Sequence, residues 1–194
     1  MRLEYPAGAT PLDQDETAGL RLTHITTREE LNIFEQENIQ QAIAWAFTGR
    51  KVDILSEAFI RQLHKRMLSD VWKWAGQYRT SNKNIGVPRE RIGIELRKLI
   101  DDVKFWIEKE TFSPDEIAAR FHHRLVLIHP FANGNGRHAR LMADLLLEKK
   151  WGHPSFSWGG ASLEKEGDVR SRYIAALRAA DRDDYSLLMQ FVRS

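Results

Sequence analysis

The sequence predicts a mostly α-helical fold, a helical bundle with a small β-hairpin, and three observations carry that expectation. Apolar residues recur every three to four positions through each long segment after residue 26. Helix starts are marked by capping residues and a proline at a first helical position. Only residues 82–88 argue for strand. The 194 residues, 42% of them hydrophobic, can bury one sizeable core and suit a single domain spanning 26–194, preceded by an arm.

The elements follow in order. A loose arm runs through about residue 25, rich in Pro, Gly, Thr and Asp. Thr27-Arg-Glu-Glu30 is a capping box that opens a long helix, 27–48, ending near Gly49, with Leu31, Phe34, Asn38, Ala42 and Ala46 along one face. Ser56 to Leu68 repeats the pattern through Ile60, Leu63 and Met67, and Ile92, Leu96, Leu99, Val103 and Trp106 make the stripe of a third long helix. Trp72, Trp74 and Tyr78, between them, read as core anchors. Ser113-Pro-Asp-Glu116 starts the next helix, with Ile117, Phe121, Leu125 and Ile128 as its buried stripe. A helix from Arg137 to Lys150 follows, then a loop from Trp151 to Gly160 and two further helices through Val169, Tyr173 and Leu177 and through Tyr185, Leu188 and Val192.

Composition excludes several classes. Cysteine is absent, so there is no disulfide framework, thiolate nucleophile or zinc-thiolate site. A net charge of +2 is too small to argue for nucleic acid. No apolar stretch approaches the roughly twenty residues that span a bilayer, and the N-terminus lacks a signal-peptide layout, so the expected location is cytoplasmic. His122, His123, His129 and His138 cluster in sequence, yet His122 and His123 point about 100° apart on a helix and no carboxylate completes a ligand set, which argues against zinc.

The chemistry concentrates at His129-Pro-Phe-Ala-Asn-Gly-Asn-Gly-Arg-His-Ala-Arg140. Gly134 and Gly136 permit positive φ and close approach of a ligand, and Asn133 and Asn135 tolerate left-handed turns. The loop opens a helix whose positive N-terminal end would face a bound anion. Arg137 and Arg140 lie one turn apart, and two guanidinium forks there suit two phosphates of a nucleotide. Pro130 biases His129 toward an extended conformation at the mouth of the loop. A histidine so placed is a natural general base for a hydroxyl attacking phosphorus, a role worth about 100- to 10,000-fold in rate.

This stretch resembles the core motif of the Fic (Fido) family, His-x-Phe-x-Asp/Glu-Gly-Asn-Gly-Arg-x-x-Arg. The resemblance implies a Fic-type helical bundle with a β-hairpin flap over the active site, and transfer of AMP from ATP to a hydroxyl side chain of a target protein with Mg²⁺, or Mn²⁺, bridging the phosphates. On it, His129 would deprotonate the hydroxyl, Phe131 would anchor the loop, Gly134, Asn135, Gly136 and Arg137 would cradle the α- and β-phosphates, and Arg140 would grip the γ-phosphate. Asn133 stands where the family usually has its acidic metal ligand. An amide oxygen can ligate Mg²⁺ but brings no charge, so two function classes stay open: an adenylyltransferase, or a nucleotide-binding regulatory or partner-binding module with little catalysis.

Two further segments belong to the same resemblance. Trp72 to Arg79 followed by Asn82 to Pro88 is similar to the stretch leading into the flap, and Asn84, Ile85, Gly86 and Val87 are the residues expected to pair with an extended target segment. Many Fic proteins carry an inhibitory helix, Ser/Thr-x-x-x-Glu-Gly/Asn, whose glutamate pairs with the second motif arginine. Glu37-Asn38 matches the end of that pattern and makes Glu37 the expected inhibitory residue, with Glu30 occupied by the cap. Residues 4–12 and 26–32 further resemble the bacterial group called mobile mystery protein B, whose genes accompany a small helix-turn-helix protein. That implies such a partner in a toxin–antitoxin-like module. Neither the target protein nor the oligomeric state is legible in the sequence.

Overall fold

A computed structural model describes residues 11–22, 24–48, 52–160, 163 and 167–194. These residues form α1 (Gln14–Thr17), α2 (Arg28–Thr48), α3 (Glu57–Leu68), α4 (Ile92–Glu108), α5 (Pro114–Ile128), α6 (Asn135–Trp151), α7 (Asp168–Ala180) and α8 (Ser186–Val192). The starts follow the local chemistry. The Glu30 carboxylate accepts from the amides of Thr26 and Thr27 while the Thr27 hydroxyl accepts from the Glu30 amide. Ser56 accepts from the Phe59 amide, and Ser113 from the Glu116 amide ahead of Pro114. At the other end, α6 stops at Gly152, whose φ of 67° is the left-handed cap that glycine adopts without a Cβ penalty.

The antiparallel pair α5 and α6 is the spine, because each helix buries residues in two cores. Phe121, Leu125, Ile128, Ala139, Met142, Leu145 and Leu146 face a large core with α2, α3 and α4. Ala118, Ala119, Ala143 and Leu147 face a smaller one with Tyr173, Ala176, Leu188, Phe191 and Val192 of α7 and α8. The small residues on that second face let the C-terminal helices approach closely. The connection between α5 and α6 begins the His129 to Arg140 motif, and its Phe131 belongs to the large core.

Two expectations are corrected. The described part of the arm is docked rather than loose: Asp13 and Glu16 form a capping box around α1, the Trp74 indole donates to the Glu16 carbonyl at 2.9 Å, and Leu20 bridges Trp72. Residues 1–10, which hold most of the 4–12 resemblance, and the expected helix end at Gly49 lie outside the described residues. The hairpin at 82–88 is not formed, and Leu20–Trp72 is the one strand-like bridge among the described residues. The reason is Arg79, whose guanidinium takes the Ser81 and Val87 carbonyls, while the Asn82 side chain accepts from the Arg89 amide. Side chains satisfy the groups that strand pairing would have used. No described helix is long and apolar enough to cross a membrane.

Candidate active site

His129 closes α5. Its amide donates to the Leu125 carbonyl at 3.2 Å and its backbone is left-handed, φ 54° and ψ 58°, not the extended form that Pro130 favours. Tertiary contacts override the proline: Arg79, 4% exposed, donates through Nε to the His129 carbonyl at 2.7 Å, and the Arg79 amide donates to the Pro130 carbonyl at 2.9 Å. Burial, and then the Arg79 and Lys83 charges, push the imidazole down to about 4, with the Val126 carbonyl acting the other way. The ring is thus neutral at pH 7, the form in which it can take a proton.

The loop after it is rigid for identifiable reasons. Phe131 is fully buried and stacks on the His64 ring at 3.7 Å between centroids. His64 Nδ1 accepts from the Gly76 amide, which leaves Nε2 to donate to the Asn133 carbonyl at 3.0 Å. The Asn135 side chain bonds both backbone groups of Phe131, so it ties the loop together. Asn133 Oδ1 accepts from the Gly134 amide at 2.6 Å. Gly134, φ 77°, presses on Leu68, where an added Cβ would come within 2.8 Å of Cδ1. Because Gly134 provides no side-chain cap, the first amides of α6 face the loop as an anion site.

The two arginines of α6 reach different helices. Arg137 Nη1 pairs with Glu35 Oε2 of α2 at 2.7 Å, and the other oxygen of Glu35 accepts from the Trp72 indole at 2.6 Å. Arg140 lies beside Tyr173 of α7, its guanidinium carbon 5.9 Å from the ring centroid. The glutamate that α2 brings to the motif is therefore Glu35, 2% exposed, whereas Glu37 points to solvent. Asn38 is also away from the motif, bonding the Arg66 carbonyl and the Asp70 amide to hold α2 on α3. Helix geometry carried this signal: Glu35 lies about 40° from Leu31 on the apolar face and Glu37 about 120° from it on the other side. Arg79 and Tyr173 were also missed, and only the tertiary fold brings them to the motif.

The expected docking residues line the loop between Arg79 and Pro88. Asn84, Ile85 and Gly86 are exposed, and Val87 donates to the Ile128 carbonyl at 3.4 Å. Gly86 has φ 96°, and a Cβ there would lie 2.7 Å from the His129 Cβ and 3.0 Å from Arg79 Nη2. Gly86→Ala must displace the buried histidine or guanidinium and strains a left-handed residue, so any His129-dependent activity is expected to fall about 100-fold and the melting temperature by several degrees. Turnover and a thermal melt on the same preparation check this.

The other histidines serve the fold. His138 donates to the Ile60 carbonyl, His123 bridges Tyr185 and Asp181, and His122 pairs with Tyr173.

A buried neutral histidine ending one helix, an uncapped arginine-bearing helix start after it and a loop fixed by Phe131 make up the motif of this helical fold. The model of the Fic/DOC family matches residues 54–147. It is 26% identical over 183 residues to protein adenylyltransferase fic-1 of Caenorhabditis elegans, covering 90% of this chain and 34% of the relative. It is 30% identical over 147 residues to protein adenylyltransferase Fic of Drosophila melanogaster, covering 74% of this chain and 28% of that one. The chain thus spans about a third of the length of the curated relatives it matches. Among solved structures, Fic-1 of C. elegans aligns with a TM-score of 0.63 at 26% identity, over 91% of this chain and 51% of that one. BepC of Bartonella tribocorum, solved with bound AMPPNP, shares the fold with a TM-score of 0.70 at 16% identity, over 93% and 97%.

Proposed function

We propose that this chain is a protein adenylyltransferase acting in the cytoplasm, with 26–194 as its Fic domain and α2 as an inhibitory helix. The observation that carries the reading is the neutral imidazole of His129 next to the uncapped start of α6, in a chain whose relatives are named protein adenylyltransferases. ATP would lie with its phosphates on the amides of Gly134 to Arg137 and on the two guanidinium groups. His129 takes the proton of a target hydroxyl as that oxygen bonds to the α-phosphorus. The bond to the β-phosphate oxygen breaks and diphosphate leaves. The loop at Asn84 to Val87 would present the hydroxyl, and the resemblance to mobile mystery protein B adds a small helix-turn-helix partner.

Among the described residues no group of three or more His, Cys, Asp or Glu converges on a metal position. Asn133 Oδ1 is the one motif side-chain oxygen at the expected place, and it already accepts from the Gly134 amide. Mg²⁺ fits this site as an ion held mainly by phosphates and water, as it commonly is, and when bound it neutralises charge on the phosphates. Asn133→Asp supplies the missing charge. It is expected to lower the Mg²⁺ concentration for half-maximal transfer about tenfold, measured by metal titration at saturating ATP; an unchanged midpoint would show that position 133 does not touch the metal.

The same contact of Asn133 favours the second reading, a nucleotide-binding module with little turnover. Intact mass and labelled ATP on wild type, Glu35→Gln and Glu35→Gln/His129→Ala separate the two. Adenylylation by Glu35→Gln that the double variant loses supports transfer, and nucleotide binding without adenylylation in all three supports the module.

A further inference from the structure

The loop between Arg79 and Pro88 is held by a part of the chain that precedes the family-matched segment. Lys83, within this loop, has only 6% of its side chain exposed, and a cation so buried needs partners. Two carboxylates of the arm supply them. The ammonium donates to Asp13 Oδ2 at 3.3 Å and to Glu16 Oε2. Asp13 Oδ2 also accepts from the Ser81 hydroxyl at 2.8 Å. The two carboxylates are fixed relative to each other, because each accepts from the other residue's amide at 2.9 Å.

The arm can hold the loop because it is itself held. The Lys73 amide donates to the Gly19 carbonyl at 2.9 Å and the Arg21 amide to the Val71 carbonyl at 2.8 Å, and Val71 and Trp72 are core residues. There is no slack at the contact: a Cβ added to Gly19 would lie 2.6 Å from Trp74 Cδ1 and 2.9 Å from the Glu16 carbonyl oxygen. At the other side of the loop, Ser81 joins the arm to the motif. Its hydroxyl goes to Asp13, while its carbonyl accepts from Arg79 Nη1 at 2.8 Å. The same guanidinium holds the His129 carbonyl. An unbroken run of hydrogen bonds thus leads from the arm, through two loop residues, to the backbone of the histidine.

We propose that Asp13 and Glu16 are positioning residues, which set the loop through Lys83 and Ser81 and so align the docking surface with His129. The inference rests on the transferase reading of the motif and on the loop as the place where a target docks. The test uses the Glu35→Gln protein as parent and two readouts. Amide hydrogen exchange follows Val87 and Arg89, which donate to the Ile128 carbonyl and the Asn82 side chain. Calorimetry with ATP and the rate of adenylylation follow the site. Asp13→Asn/Glu16→Gln keeps the size of both side chains and removes their charge. It is expected to speed exchange at both amides about tenfold, the size of lost charge-assisted hydrogen bonds, and to slow adenylylation about as much, with ATP affinity changed less than twofold. Lys83→Met loosens the loop to the same degree, and adding it to the double variant has no further effect, because the buried cation is then gone with its partners. Asp15→Asn, on the exposed side of α1, changes nothing. Exchange rates that do not move, or a loss of ATP affinity equal to the loss of transfer, make these contacts packing alone and overturn the proposal. If the parent transfers nothing, the transferase reading falls on that ground, and the exchange rates still decide whether the arm sets the loop.

Discussion

On the proposed reading, Glu35→Gln is expected to raise the affinity for ATP and the yield of adenylylation by about 10- to 100-fold, and Glu37→Gln to change neither. Glu35 places a buried carboxylate 2.7 Å from the Arg137 guanidinium, and a phosphate bound by Arg137 as proposed would compete with that carboxylate for the same donors. Glutamine keeps an acceptor for the Trp72 indole and removes the charge, which is the larger part of a charge-assisted hydrogen bond. The same change takes one partner from a largely buried ion pair, and a fall of several degrees in melting temperature should accompany the gain. Activity rising as stability falls is the signature of a contact that holds a site shut. The pairing with Arg137 differs from the second-arginine contact that the resemblance implies. It predicts that ADP gains affinity along with ATP, because Arg137 is the residue expected to hold the inner phosphates. Parallel calorimetric titrations with the two nucleotides test this, and a gain confined to ATP would move the competition to Arg140.

Acidification from pH 6.5 to about 4 is expected to remove a large part of the folding stability. His122 is pushed down to about 3, His129 and His138 to about 4, and His64 well below its ordinary value, in each case chiefly by burial. In the unfolded chain these rings take protons near pH 6.5, so below that pH the unfolded state binds more protons and stability falls with pH. Asp144 works in the opposite sense. Burial raises it to about 6, so the folded state holds a proton there that the unfolded chain releases down to about 3.8. The net is two to three protons, or about 3–4 kcal/mol per pH unit at the steepest. That is a large share of a typical domain's stability. Urea midpoints at pH 7.5, 6 and 5 should drop steeply over the last interval, and a flat series would mean that these rings charge without cost. Turnover, by contrast, should lack the usual histidine limb near pH 6.5, since the base titrates near 4.

Periodicity and capping placed the long helices because both are local. Ser113-Pro114 and the Thr27 box need nothing from the rest of the chain. The motif was legible for the same reason, as an unbroken run from His129 to Arg140. What the sequence hid depends on distance along the chain. Glu35 meets an arginine 102 residues away, and a short pattern pointed to Glu37 where the helix face points to Glu35. The backbone of His129 follows Arg79, 50 residues earlier, rather than the adjacent proline. The hairpin failed because side-chain bonds from Arg79 and Asn82 have no period to read. Asn135, expected in the phosphate cradle, also braces the loop through side-chain bonds to Phe131 four residues back, a role its place in the motif does not announce.

Arg79 gives the molecule one more property. A single guanidinium holds the His129 carbonyl at one edge and the carbonyls of Ser81 and Val87 at the others. The surface loop and the histidine backbone therefore share one set of donors, and neither can shift without redistributing the other's bonds. In linkage terms, a chain that docks along residues 84–87 and stabilises one arrangement of the loop must stabilise the matching arrangement of His129 by the same free energy, and the reverse holds equally. Recognition of a target and alignment of the base would then be two views of one equilibrium, and discrimination among targets would register in the chemical step as well as in the affinity.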